Sequence, residues 1–215
     1  MAGLLPLLAA LLLAVPEAEA CECPRKVPTE KAALNGADTV FSGTVLSSTP
    51  SADGTERVHR FEVSRLYKGN SQRFTEVVTK GGKGCGFPFE PGKSYLVFST
   101  GHGIRTATTC DGTRLIEQVH ARRAALKAAP CALALAPALD DAARAAARMF
   151  QFKKDFSEYP STHVTAHCDA DGRVQVVFRR RTIPVEQLPM VRDAIEAHIV
   201  LNGKSGKVER MLVGP

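Results

Sequence analysis

Two cysteines one residue apart, Cys21 and Cys23, stand directly behind an apolar leader, and four more follow at positions 85, 110, 131 and 168. Cysteines this close in sequence do not readily bond each other, so Cys21-Glu22-Cys23 predicts two staples aimed at different parts of one fold. The leader sets the compartment. Residues 4–15 form an apolar run shorter than the roughly 20 residues of a membrane span. Pro16 and then Ala18-Glu19-Ala20, an Ala-x-Ala cleavage pattern, follow it. Residues 1–20 are therefore expected to be a secretory signal peptide, although no Lys or Arg precedes the apolar run. Cleavage after Ala20 would make Cys21 the first residue. The alternatives are an uncleaved anchor or a lipoprotein acylated at Cys21, which Ala18 and Glu19 fit poorly. The expected product is secreted and extracellular, with a periplasmic or lipid-anchored product as the alternative, and with no stable membrane insertion after cleavage. An even number of cysteines in an exported chain argues for three disulfides, for which fifteen pairings are conceivable.

Removing the leader discards Glu17 and Glu19 and no base, so the formal charge rises from +6 to +8. A basic exported protein can adhere to acidic polymers, but the sequence has no Walker, dinucleotide or zinc-finger spacing and no aromatic-basic pattern suited to nucleic acid. It also lacks H-E-x-x-H, G-x-S-x-G and a convincing acid pair, so an enzyme is not expected. The remaining constellations have plain structural explanations. His163, His167 and Cys168 have metal-like spacing, yet surface histidines on a strand are the commoner outcome. A copper or redox role for Cys-x-Cys needs reduced thiols, against the exported context. Arg179, Arg180 and Arg181 fit a solvated strand end, and Asp140-Asp141 fits a helix cap. No resident metal and no cofactor is expected.

Along the chain, the first half predicts short strands at 38–47, 58–69, 73–80, 94–100 and 103–110, with Gly43 marking a bulge or tight bend. The turn signals are "SADG" at 51–54 and "EPGK" at 90–93. This spacing suits a small barrel or sandwich rather than βαβ units. A helix is expected over 114–128, then an alanine- and proline-bearing boundary, then a helix over 140–155. A hairpin over 163–180 turning at Asp171-Gly172, a helix over about 189–201 and a strand over 207–213 complete the chain. The expected fold class is mainly β: a closed OB-like barrel with a flanking helix (21–128), then a small α+β domain of unassigned role (129–215).

Several pieces, in order, resemble the inhibitory domain of the tissue inhibitors of metalloproteinases, a branch of the netrin-like modules on an OB-type barrel. They are "CEC" at 21–23 behind the leader, "ADTVFSGTV" at 37–45, "FEVSRLYKG" at 61–69, "CGFPFEPGKSYLVF" at 85–98 and "TTC" at 108–110. The resemblance covers residues 21 to about 120. It implies disulfides Cys21–Cys85 and Cys23–Cys110, which leaves Cys131 with Cys168. In the chain-entropy model such loops contribute about 3–4.5 kcal/mol each.

The resemblance also implies a mechanism and a partner. A free α-amine has a pKa of about 7.7–8.0, so part of it is neutral at physiological pH and can give its lone pair to a metal. The amine nitrogen and carbonyl oxygen of Cys21 would form a five-membered chelate on the open position of a protease's zinc, displacing the water that serves as its nucleophile. The implied function is a secreted inhibitor of zinc metalloendopeptidases. Cys21 would be the chelating residue, and Glu22, Cys23, Pro24, Cys85 and Gly86 would form the contact ridge. Its alternative is a non-inhibitory netrin-like binding or adhesion module. Three departures stand out. Glu22 replaces the family's small hydroxylic residue, and since burying an unpaired carboxylate is costly, it points to a protease with a basic or polar pocket. The family's third N-domain cysteine pair is missing, with Leu34 or its neighbours where the first of that pair would fall. Residues 131–215 do not resemble the family's own C-terminal domain.

Overall fold

The structure, a computed structural model, describes residues 21, 23, 26–81, 85–119, 126, 129–150, 164–179 and 195–213. Residues 1–20, the expected leader, lie outside these residues, as do Glu22, Pro24, His163, Arg180 and Arg181. The chain is mainly β. Among the described residues no helix is long and apolar enough to cross a membrane.

The first element is one the sequence patterns above do not predict. A short helix, α1 (Glu30–Gly36), starts where the Thr29 side chain accepts the backbone N–H of Ala32 at 3.3 Å. That cap and Glu30 in the first turn satisfy the helix start, and Ala33 and Leu34 bury its inner face. A long hairpin follows, β1 (Thr39–Pro50) and β2 (Glu56–Ser71), paired from Val40↔Lys68 to Pro50↔Arg57. At its turn Asp53 accepts bonds from Ser51 and Thr55, which hold its carboxyl down to about 2. The register slips between Ser42 and Gly43, the expected bulge. A Cβ on Gly43 would lie 2.7 Å from the Glu62 carbonyl, so the two backbones approach too closely for a side chain.

β2 is the organising strand. On one side it pairs with β1, and on the other successively with β3 (Phe74–Lys80), with β6 (Leu133–Ala134) and with β7 (Val164–Cys168). β4 (Ser94–Ser99) lies on the far side of β1 and carries β5 (Arg114–Leu115). Beyond β7 the sheet continues through β8 (Arg173–Arg179), β9 (Ile195–Asn202) and β10 (Val208–Val213). The path is β10-β9-β8-β7-β2-β1-β4-β5, with β3 and β6 branching from β2.

This sheet is open, which corrects the expected closed barrel. Closure would need a strand laddering β3 to β4, and the expected strand over 103–110 does not form one. Thr106 makes only single bridges, to Val78 and to Thr100, and Thr108 one to Gly86. Gly101 (φ 101°) and Gly112 (φ 98°) turn the chain at either end of that segment, and a left-handed backbone does not continue a strand.

Three helix expectations are also corrected. Over 114–119 the structure has β5 and a 3₁₀ turn (Ile116–Val119), because Leu115 and Arg114 pair with Tyr95 and Leu96; in the rest of that span Leu126 is helical, and residues 120–125, 127 and 128 lie outside the described residues. Over 189–201, residues 189–194 lie outside the described residues, and those from Ile195 onward form β9. Ala197, Ile199 and Leu201 are fully buried while His198, Val200 and Asn202 are only partly so, a period of two that belongs to a strand. The helix expected from 140 is α2 (Leu135–Phe150), which starts five residues earlier. Pro137 fits in its first turn, where no N–H is needed, and Asp140-Asp141 therefore lie inside the helix instead of capping it.

The alanine-rich stretch expected as a boundary is core. Cys131, Leu133, Leu135 and Ala138 are buried, and α2 packs on β2, β7, β9 and β10. One apolar cluster runs from Phe41, Phe61 and Tyr95 through Leu133 and Ala142 to Val176, Ile199 and Leu201. A second, around Val40, Leu96 and Phe98, packs beneath α1. The hairpin turning at Asp171-Gly172 and the last strand are present as expected.

Candidate functional site: the disulfide-pinned N-terminal segment

Three disulfides join Cys21–Cys85, Cys23–Cys110 and Cys131–Cys168, with Cα–Cα distances of 5.4, 5.5 and 6.2 Å. These are the pairs the resemblance implies. The first two fasten the start of the described chain to two loops at one end of the sheet, across 64 and 87 residues. Cys21 is exposed and Cys23 half-buried. The sulfurs of Cys21, Cys85 and Cys110 lie within 4.8 Å of one another. All are in disulfides, so they offer no thiolate to a metal.

The receiving loops are themselves held. Cys85 has φ 55°, a left-handed backbone that costs a non-glycine residue of order 1–3 kcal/mol and persists only where its surroundings enforce it. The next residue, Gly86, donates its N–H to the Lys80 carbonyl (3.1 Å) and bridges to Thr108. Thr109 donates its N–H to the Cys85 carbonyl at 2.9 Å. The Thr109 hydroxyl lies 3.4 Å from both Cys21 Sγ and the Cys85 carbonyl. Asp111 folds the second loop by accepting the N–H groups of Thr108 (2.6 Å) and Thr113 (2.8 Å). Burial pushes the Asp111 carboxyl up, and these same bonds oppose the shift.

Beneath the Cys85 loop is an aromatic stack. Phe89 meets Phe61, Phe87, Tyr95 and the imidazole of His59 at centroid distances of 4.7–5.0 Å. Tyr95 Oη accepts the N–H of Glu90 at 3.1 Å, fixing the loop's far end. The loops are thus clamped by backbone bonds on one side and aromatic packing on the other, and the disulfides transmit that rigidity to Cys21.

A Cβ on Gly86 would collide with the Lys80 carbonyl. Gly86→Ala is therefore expected to destabilise the protein by about 1–3 kcal/mol, as overpacking does. Urea denaturation of the two proteins measures this, and equal midpoints would show that the loop yields freely.

Of the expected contact residues, Cys21, Cys23, Cys85 and Gly86 come together, while Glu22 and Pro24 lie outside the described residues. The His163–His167–Cys168 grouping offers no thiolate, since Cys168 is buried in its disulfide and His167 is exposed on β7. Sequence patterns passed over Asp111 and His59, and Thr109 entered only as part of "TTC". Of the two passed over, Asp111 carried a signal, an Asp-Gly turn after Thr-Thr-Cys. The class defined by these features is a mainly-β, disulfide-bonded protein whose N-terminal segment is pinned at two points. No protein-family model matches the chain, and no curated protein matches it.

Proposed function

We propose that the chain is a secreted inhibitor of zinc metalloendopeptidases, acting after removal of residues 1–20 through the free amine and carbonyl of Cys21. One observation carries this reading: Cys21 is exposed while its side chain is tied to Cys85 and its neighbour Cys23 to Cys110. A residue that must present two main-chain ligands to a metal gains from being held still, because the entropy of ordering it is removed before binding. The resemblance over residues 21 to about 120 supplies the protease as partner. Glu22 would enter the pocket next to the zinc, which favours a target with a basic or polar subsite there.

The test is an inhibition titration against a panel of zinc endopeptidases, using protein that begins at Cys21 and protein carrying one extra alanine before it. The extension removes the α-amine from Cys21 without touching the disulfides. A loss of about a hundredfold in inhibition constant is expected, of the order of two metal-directed contacts. Equal inhibition by both forms would place the contact elsewhere. Inhibition by neither would favour a netrin-like binding module.

A further inference from the structure

A second surface, independent of Cys21, lies along the outer edge of β3. In an antiparallel ladder each residue turns both its backbone groups either toward its neighbour strand or away from it. The N–H of Val63 bonds the Arg73 carbonyl, and the β2–β3 register pairs Phe61 with Thr75 and His59 with Val77. Odd-numbered residues of β3 therefore face β2, and Phe74, Glu76, Val78 and Lys80 point their N–H and C=O groups outward.

Half of that outer edge is occupied. Val78 donates to the Arg105 carbonyl and accepts from Ala107, and the Lys80 carbonyl accepts from Gly86. The other half is open: among the described residues no hydrogen bond reaches the outward backbone groups of Phe74 and Glu76. The segment around Thr106 thus behaves as a strand that covers only the C-terminal end of the edge.

A groove of about 970 Å³ lies beside the open half, lined by Phe74, Glu76, Asn70, Ile104, Arg105 and Thr165, among others. Ile104 is 72% exposed. The Arg105 guanidinium is half-buried, and its bonds go only to neutral acceptors: Thr75 Oγ1 at 2.7 Å, and the Asn70 carbonyl and Oδ1 at 3.0 Å each. Its Nε is buried without a partner, and among the described residues no carboxylate stands within ion-pair distance. A second guanidinium, Arg60, lies over the Phe74 ring at 5.1 Å. Glu56 and Glu76 also line the groove, and neither stands within ion-pair distance of Arg60 or Arg105.

We propose that this groove takes up an extended segment of another protein by β-strand addition to Phe74–Glu76, with an acidic side chain of that segment set against Arg105. Main-chain bonds to an open edge supply the affinity in this mode, and pockets for alternate side chains supply the selectivity. Here the apolar pocket is formed by Phe74 and Ile104 and the charged one by Arg105. A polyanion such as a sulfated glycan would use the guanidiniums but not the four free backbone groups, and the experiment separates the two.

The probe is an end-blocked hexapeptide alternating valine and glutamate, added to the full mature chain, with amide hydrogen exchange as the readout. Without peptide, the Phe74 and Glu76 amides are expected to exchange at least tenfold faster than Thr75 and Val77. Saturating peptide slows them at least tenfold. A valine–lysine peptide, and a valine–glutamate peptide N-methylated at alternate residues, bind at least tenfold more weakly. Glu76→Pro deletes one outward N–H and leaves the β2 ladder intact, so it weakens binding by a similar factor at an unchanged melting temperature. Protection of Phe74 and Glu76 in the free chain would overturn the proposal, as would undiminished binding of the methylated peptide or no binding of any peptide. Slowed exchange produced by a heparin-type oligosaccharide and not by the peptide would also overturn it.

Discussion

Replacing Cys131 and Cys168 together by alanine is expected to lower the free energy of unfolding by about 4 kcal/mol, the chain-entropy value for a loop of this length. The bridge spans 37 residues, and both ends sit on β2. Cys131 donates its N–H to the Tyr67 carbonyl at 3.4 Å, and Cys168 is the ladder partner of Gly69. Both cysteines are buried, at 0% and 4% exposure, within the main apolar cluster. Removing the sulfurs therefore leaves a void where the two sheet segments meet, and the surroundings fill such voids only partly. Cys23–Cys110 closes a longer loop of 87 residues, yet a smaller loss is expected there. Once it is cut, Cys21–Cys85 still ties the same segment to the sheet, so the loop newly opened in the unfolded chain is much shorter than the span of Cys23–Cys110 itself. Urea denaturation under oxidising conditions tests the order, and a greater loss at Cys23–Cys110 would contradict it.

The second large effect is acid destabilisation through His59. This side chain is 1% exposed, with Nε2 2.8 Å from Thr79 Oγ1 and Nδ1 without a partner. Burial, aided by the Arg57 charge, lowers its pKa from 6.5 to about 4. Lys80, Glu56 and Glu90 line the adjoining cavity, and Phe89 packs on the ring. With the folded value below the unfolded one, the unfolded chain takes up a proton between pH 6.5 and about 4 while the folded chain does not. The stability is present in full above pH 6.5 and is lost as pH falls to about 4. The size is about 3 kcal/mol, at 1.36 kcal/mol per pH unit. Asp111 acts in the opposite sense, since a raised carboxyl favours the folded state as pH falls. The quantity to measure is therefore the difference between wild type and His59→Gln at pH 7 and pH 4. The glutamine amide can still donate to Thr79 but does not titrate. Parallel pH profiles for the two proteins would show that His59 charges without penalty.

The strands of the first half were legible because their signals are local. "FTEVVTK" alternates cleanly, "EPGK" and "SADG" are turn chemistry, and the Asp171-Gly172 hairpin is fixed by its turn. The failures have physical causes. "IEAHIVLN" carries a period of two, but its Ala, Leu and Glu also suit a helix, and only its place between β8 and β10 settles the competition. "CALALAPAL" has linker composition and is buried because β2 is long enough to pair with it. "GIRTATTC" contains strand formers, yet glycines at both ends limit it to single bridges.

By itself the sequence determined the even set of six cysteines that forms three disulfides, the mainly-β class, and the hairpins whose turns it specifies. All of these rest on composition or on interactions among neighbours. The tertiary structure alone decided that the sheet stays open, that one core runs through both expected domains, and that, among the described residues, the buried His59 has an unpaired nitrogen and half the β3 edge has no partner. Each of these depends on which distant strand occupies a given edge. Neighbouring residues do not encode that, because every strand offers the same backbone groups on both sides.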